Sequence, residues 1–169
     1  SSNAGAFVVG PDGGLAVVGN QHAGVSIPAG ALPKPVLVIV RKLFDAPSGG
    51  PLNTTLPQFP PFYEITTIPA VQLSKQVLVG ICVDNFAAPL RLAHNVGQGI
   101  EILVLASAPF LNCAADVGSA PVDGTLWAPL TRSVRGLLAP RMLSAAMLIP
   151  GGLGGLAGSF SPFGAVDPT

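Results

Sequence analysis

The side chains able to do chemistry are few: two His, two Cys, eight acidic and eight basic residues among 169. Four zinc ligands are not assembled convincingly from them, because His22 and His94 show no metal-ligand spacing to Cys82 or Cys113. The two cysteines form either a disulfide or a pair of inert buried thiols. A disulfide would close a loop of roughly 30 residues, worth about 3–4 kcal/mol in the chain-entropy model, and this Cys82–Cys113 bond is expected. The carboxylates are scattered. Asp116 and Asp123 flank one stretch, while Asp12 and Asp84 lie near turn residues. That spread suits neither a glycosidase pair nor a calcium cage. His94, within Leu92-Ala93-His94-Asn95, reads as a hydrogen-bonded strand residue, and His22, beside Asn20 and Gln21, as a loop residue. With two histidines and no G-x-S-x-G elbow, no catalytic residue and no metal site are expected.

Phosphate chemistry is equally poorly supported. Gly152-Leu153-Gly154-Gly155-Leu156-Ala157 satisfies G-x-G-x-x-A, but that motif needs a following helix and a later acidic residue to hold a dinucleotide. Only 12 residues follow Ala157, and they include Pro162 and Gly164. No Walker loop occurs, and no cofactor is implied. Formal net charge is zero, and the longest basic run is Arg41-Lys42. Nothing would supply the counterion release that drives nucleic-acid binding or attraction to an anionic membrane.

The elements that must position these residues are short. Gly (21) and Pro (18) make up nearly one residue in four, and the longest stretch free of both is Val36 to Ala46. Helical bundles are therefore excluded. Apolar runs between Gly/Pro punctuation predict strands at 7–9, 15–18, 24–27, 36–40, 62–67, 76–83, 91–94, 100–105 and 159–166. Thr125-Leu126-Trp127 follows a turn at Asp123-Gly124, and Met142 to Ile149 reads as a strand or one short helix. The sum is an all-β, antiparallel β-sandwich of about nine short strands, one domain over 1–169. It carries a Pro-rich loop (47–61) and a Gly-rich segment (150–158) before the closing strand (159–166). Asn53-Thr54-Thr55 in that loop is a formal glycosylation sequon. Met142 to Val166 is uncharged for 25 residues, but its Gly and Pro content would break a spanning helix. No transmembrane span is expected. No signal peptide is visible at Ser1 to Ala6, so the N-terminus reads as processed or vector-derived.

Three stretches, in order, resemble ZU5-type (ZU5/GAIN) domains. Gly13-Gly14-Leu15 leads to a corner at Val25-Ser26-Ile27-Pro28-Ala29-Gly30-Ala31-Leu32. Tyr63-Glu64-Ile65 precedes Lys75-Gln76-Val77-Leu78-Val79, with Gln76 where the family usually has Pro. Ser159-Phe160-Ser161-Pro162-Phe163 is similar to the last strand, typically His-Phe-Ser-x-Phe. The resemblance implies a β-sandwich of exported bacterial and animal surface or scaffold proteins. Some of these cleave themselves at His-Phe-Ser. Carried over, Ser161 would be the nucleophile, but Ser159 stands at the His position and Pro162 fixes the following backbone. A serine is no base at neutral pH, so an intact chain is expected.

Charged residues are 9% of the chain against a usual ~25%. Hydrophobic residues reach 49%, so the chain is not of disordered type. A surface so poor in charge is poorly defended against association. The expectation is a non-catalytic structural or scaffolding subunit, periplasmic or on the cell surface, whose partners are other protein subunits. Surface layers, filaments and the periplasmic face of a membrane complex, respiratory or photosynthetic ones included, all fit. The expected interface is Pro57, Phe59, Pro60, Pro61 and Phe62 with Leu153, Leu156 and Phe160. The alternative is a cell-surface carbohydrate- or peptide-binding module, for which Trp127 and Tyr63 are the aromatic candidates.

Overall fold

The computed structural model describes residues 3–19, 21–43, 52, 54–83, 90–97, 99–113 and 151–168. Trp127, Met142 to Ile149, Asp84, Asp116, Asp123 and Asn53 lie outside them. The described residues form no helix. They form β1 (Ala4–Val9), β2 (Gly14–Val18), β3 (Ala23–Ile27), β4 (Val36–Leu43), β5 (Gln58–Ile68) and β6 (Val77–Cys82). Then follow β7 (Arg91–Asn95), β8 (Ile100–Ile102), β9 (Val104–Leu105), β10 (Gly152–Ala157) and β11 (Pro162–Val166). Two antiparallel sheets result, ordered β1-β4-β5-β11-β7-β8 and β2-β3-β6-β10-β9. The chain is a β-sandwich.

Alternation explains the seam between the sheets. Val77, Val79 and Ile81 of β6 point inward with Val25, Val38, Val40 and Ile65, each at most 1% exposed. Each such side chain contributes about 1.5–3 kcal/mol relative to exposure. The outer faces are covered as well. Leu52 and Leu56 cap Phe62, Ala93 and Val166 on the first sheet. On the second sheet Ala108, Phe110 and Leu111 cap Cys82. Cys82 is disulfide-bonded to Cys113, 31 positions later in sequence, with Cα atoms 5.3 Å apart. The bond fastens the 106–113 segment to β6.

Turns fall where the sequence places them. Gly10 to Gly13 is closed by the Gly13 N–H donating to Gly10 O (2.9 Å), with Pro11 inside the turn. The corner at Pro28-Ala29-Gly30 needs Gly30 at φ +85°, and the Ala31 N–H returns to Pro28 O at 3.2 Å. Lys75 Nζ donates to Ala29 O at 2.7 Å, locking the corner from the approach to β6.

Four expectations change. The Pro-rich loop expected over 47–61 gives way at Gln58 to β5, which runs to Ile68. The single strand expected over 100–105 divides at Leu103, which turns inward (1% exposed) and donates its N–H to Leu92 O. β8 therefore joins one sheet and β9 the other. The closing strand starts at Pro162, not Ser159, because the chain must first cross from β10 in one sheet to β11 in the other. The Gly-rich segment is itself a strand, β10, lying between β6 and β9. Its bare backbone accommodates its own chain: a Cβ on Gly154 would strike Ala106 O, and one on Gly155 would sit 2.6 Å from Leu103 Cβ. As a strand it also has no helix N-terminus to offer a pyrophosphate.

The β5–β11 ladder is irregular between Phe163 and Ala165, opposite Pro60 and Pro61. Neither proline has an N–H to pair. Gly164 occupies this break, and a Cβ there would lie 2.6 Å from Phe62 Cε1. Gly164→Ala is expected to cost about 1–3 kcal/mol by overpacking, measured by urea denaturation. Phe62→Leu in the same chain should recover part of that loss, and simple additivity of the two changes would contradict the contact.

Candidate functional site

Among the described residues His94 is the buried polar side chain, 1% exposed. Its position follows from register. On β7, Leu92 and His94 alternate inward, and His94 lies opposite Phe163 on β11 and Glu101 on β8. Directly opposed residues share a face, so the three side chains meet. The imidazole stacks on the Phe163 ring at 5.0 Å between centroids, with planes 7° apart. Ser161, two residues before Phe163, reaches the same face, and its carbonyl accepts from the Ile65 N–H (3.4 Å).

Both ring nitrogens are engaged. Nε2 lies 3.3 Å from Glu101 Oε1, and Nδ1 lies 2.8 Å from Ser161 Oγ. An ionised carboxylate only accepts, so Nε2 carries the proton and donates to Glu101. Nδ1 is then a bare acceptor, and the Ser161 hydroxyl donates to it. Burial holds the His94 pKa below its ordinary 6.5, opposed by the Glu101 hydrogen bond and charge. The arrangement is a serine hydroxyl facing a neutral imidazole that is oriented by a carboxylate.

His94 is a hydrogen-bonded strand residue, as expected, and it faces Ser161, for which no base was expected. The histidine comes from a strand 67 residues earlier rather than from position 159. Glu101 was legible in principle. Asn95-Val96-Gly97 marks a hairpin, closed by Gly97 N–H to Asn95 Oδ1 (2.7 Å) and Val96 N–H to Gly99 O (3.0 Å). That turn sets His94 opposite Glu101. Ser161 stands at the nucleophile position of the ZU5-type resemblance, but nothing local to it points to His94.

The expected interface residues are not brought together as one surface. Leu153 is 3% exposed within the core, and Pro61 and Phe62 are also buried, the latter beneath Leu52 and Leu56. Phe59 and Phe160 pack against the core, and Leu156 is half-buried. Pro57 and Pro60 are exposed. Tyr63, one of the two aromatic candidates for a ligand site, is buried. Among the described residues, five of the seven exposed large apolar side chains lie on the edge strands, Val8 and Leu15 at one side and Ile102, Val104 and Leu105 at the other. Of the other two, Ile68 ends β5 and Val96 lies in the β7–β8 turn. Among the described residues no three His, Cys, Asp or Glu side chains gather as a metal site. No helix among them is long and apolar enough to cross a membrane.

No protein-family model and no curated protein matches this chain.

Protonation of His94 has a definite sign. Between its lowered native pKa and the unfolded value of 6.5, the unfolded chain binds more protons, so acid destabilises the fold. Melting temperature is expected to be level above pH 6.5 and to fall as pH drops below it. In His94→Gln this component of the slope should vanish. Calorimetry between about pH 7.5 and 5 checks this, and identical slopes in both proteins would contradict it.

Proposed function

We propose that the chain is a non-catalytic structural or scaffolding subunit of an extracytoplasmic assembly, and that its partners join at the edges of the two sheets. The observation that carries this reading is the chemistry of the edge strands. β1 and β2 form one side of the sandwich and β8 and β9 the other. Together they hold one charged residue, Glu101, whose carboxylate is directed to His94. Proteins ordinarily guard exposed edges with lysine, proline, bulges or a covering element. Here the edges present unpaired backbone, among the described residues, beside exposed Val8 (79%) and Val104 (61%). Such an edge suits strand addition by a neighbouring subunit, in which backbone hydrogen bonds supply affinity.

The disulfide supports an oxidising compartment, periplasmic or cell-surface. The ZU5-type reading is supported by where its motifs fall. The Ile27-Pro28-Ala29-Gly30 corner follows β3, Tyr63-Glu64-Ile65 lies in β5, and Phe163 lies in the closing strand. Surface layers, filaments and membrane complexes remain the assemblies that fit this surface.

Isolated from its native source, the chain is expected in a complex larger than its own 17.0 kDa. Val8→Lys with Val104→Lys should release it as a monomer while leaving the melting temperature within a few degrees, because both positions are exposed. Sedimentation velocity on both proteins decides. A wild-type chain that is monomeric at high concentration and copurifies with nothing would sink the proposal.

A further inference from the structure

The scaffold reading makes no use of the buried His94 or its two partners, and a sandwich has cheaper ways to fill that space. A Leu or Val opposite Phe163 would need no hydrogen bonds, whereas a buried imidazole must have both nitrogens satisfied. What the arrangement adds is directional. Glu101 fixes the proton on Nε2, and the lone pair of Nδ1 is therefore aimed at the Ser161 hydroxyl, 2.8 Å away. A serine hydroxyl is a weak nucleophile alone and is activated when an adjacent base takes its proton as it attacks. Ser161 is half-buried and the imidazole behind it is buried, so a reagent that reaches the hydroxyl does not reach the base.

We propose that Ser161 is an acyl-acceptor site, with His94 as general base and Glu101 as the positioning residue that holds the imidazole. The donor class is a small, uncharged, activated ester. Phe160 and Pro162 are its apolar chain neighbours, and the Glu101 carboxylate, which bonds the same imidazole, disfavours an anionic donor. In the reaction Ser161 Oγ forms a bond to the ester carbonyl carbon while its proton passes to His94 Nδ1. Collapse of the tetrahedral adduct breaks the bond to the leaving alcohol, which takes the proton back from Nδ1. The products are an ester on Ser161 and a free alcohol, with no change of oxidation state. Acylation is stoichiometric, a modification of the chain rather than turnover, and stands apart from the edge-assembly reading.

The chain contains its own control. Ser159 lies two residues away and is exposed, so it reports the reactivity of an ordinary serine hydroxyl at that surface. The test treats the whole chain with 4-nitrophenyl acetate and locates acetyl groups by tandem mass spectrometry. Ser161 is expected to be acetylated at least about tenfold faster than Ser159, with a burst of one equivalent of 4-nitrophenol. Its rate should rise through a midpoint below pH 6.5, as His94 loses its proton, and then level off. A serine reacting without a base would instead keep rising with hydroxide. His94→Gln should bring Ser161 down to the Ser159 rate. Glu101→Gln, a change at a half-exposed edge side chain, should slow labelling and move the midpoint lower, because Glu101 raises the His94 pKa. Equal labelling of the two serines in the wild-type chain would overturn the proposal, as would a midpoint unmoved by Glu101→Gln. Fragments beginning at Ser161 would also overturn it, since the attacked carbonyl would then be that of Phe160.

Discussion

The burial of one imidazole constrains three strands at once. His94 is satisfied only if Ser161 and Glu101 are both in reach, and a buried nitrogen left unpaired costs about 1–3 kcal/mol. β11 and β8 must therefore flank β7 in the observed register, with Phe163 and Glu101 directly opposite His94. The start of the closing strand is tied down by the same contact, because Ser161 precedes β11. The register between Ala93 and Gly164 follows, and with it the close approach of Phe62 to Gly164. A single polar residue on the apolar inner face thus fixes where β11 begins and where the first sheet ends.

The remainder of the sandwich is held by apolar contact at short range. Small residues let segments press onto the sheets from outside: Gly80 receives Ala108, and Gly154 receives the backbone at Ala106. The disulfide secures that covering segment to β6. Charge contributes little to this architecture. Arg41 and Glu64 form an ion pair at 2.6 Å across β4 and β5, but the Arg41 side chain is 56% exposed, so solvent screens the pair. The scarcity of charge tells instead at the edge strands, where Glu101 is the one charged side chain and is drawn to His94.

Much of this was legible from residue pattern. β-branched alternation in Val77-Leu78-Val79-Gly80-Ile81 identified β6 and its inward face, and Pro28-Ala29-Gly30 identified the corner. Gly152 to Ala157 was not legible as a strand. Glycine has no side chain whose burial could register as a pattern, and its place between β6 and β9 is decided by what presses against it. The expected apolar interface misled for a related reason. Phe62 and Leu153 advertise stickiness in sequence, yet the chain itself covers them, while Val8 and Val104 look unremarkable and are exposed. His94 with Glu101 is a hairpin relation that turn chemistry implies. His94 with Ser161 is a tertiary relation, and no local signal carries it.

The site turns on the tautomer of His94, and nitrogen-15 NMR of the imidazole reads it directly. At neutral pH the ring should be neutral, with the proton on Nε2 and Nδ1 showing the shift of an unprotonated, hydrogen-bond-accepting nitrogen. Glu101→Gln should perturb the Nε2 signal more than that of Nδ1. A proton on Nδ1, or an imidazole titrating freely at its ordinary pKa, would contradict the arrangement on which the site depends.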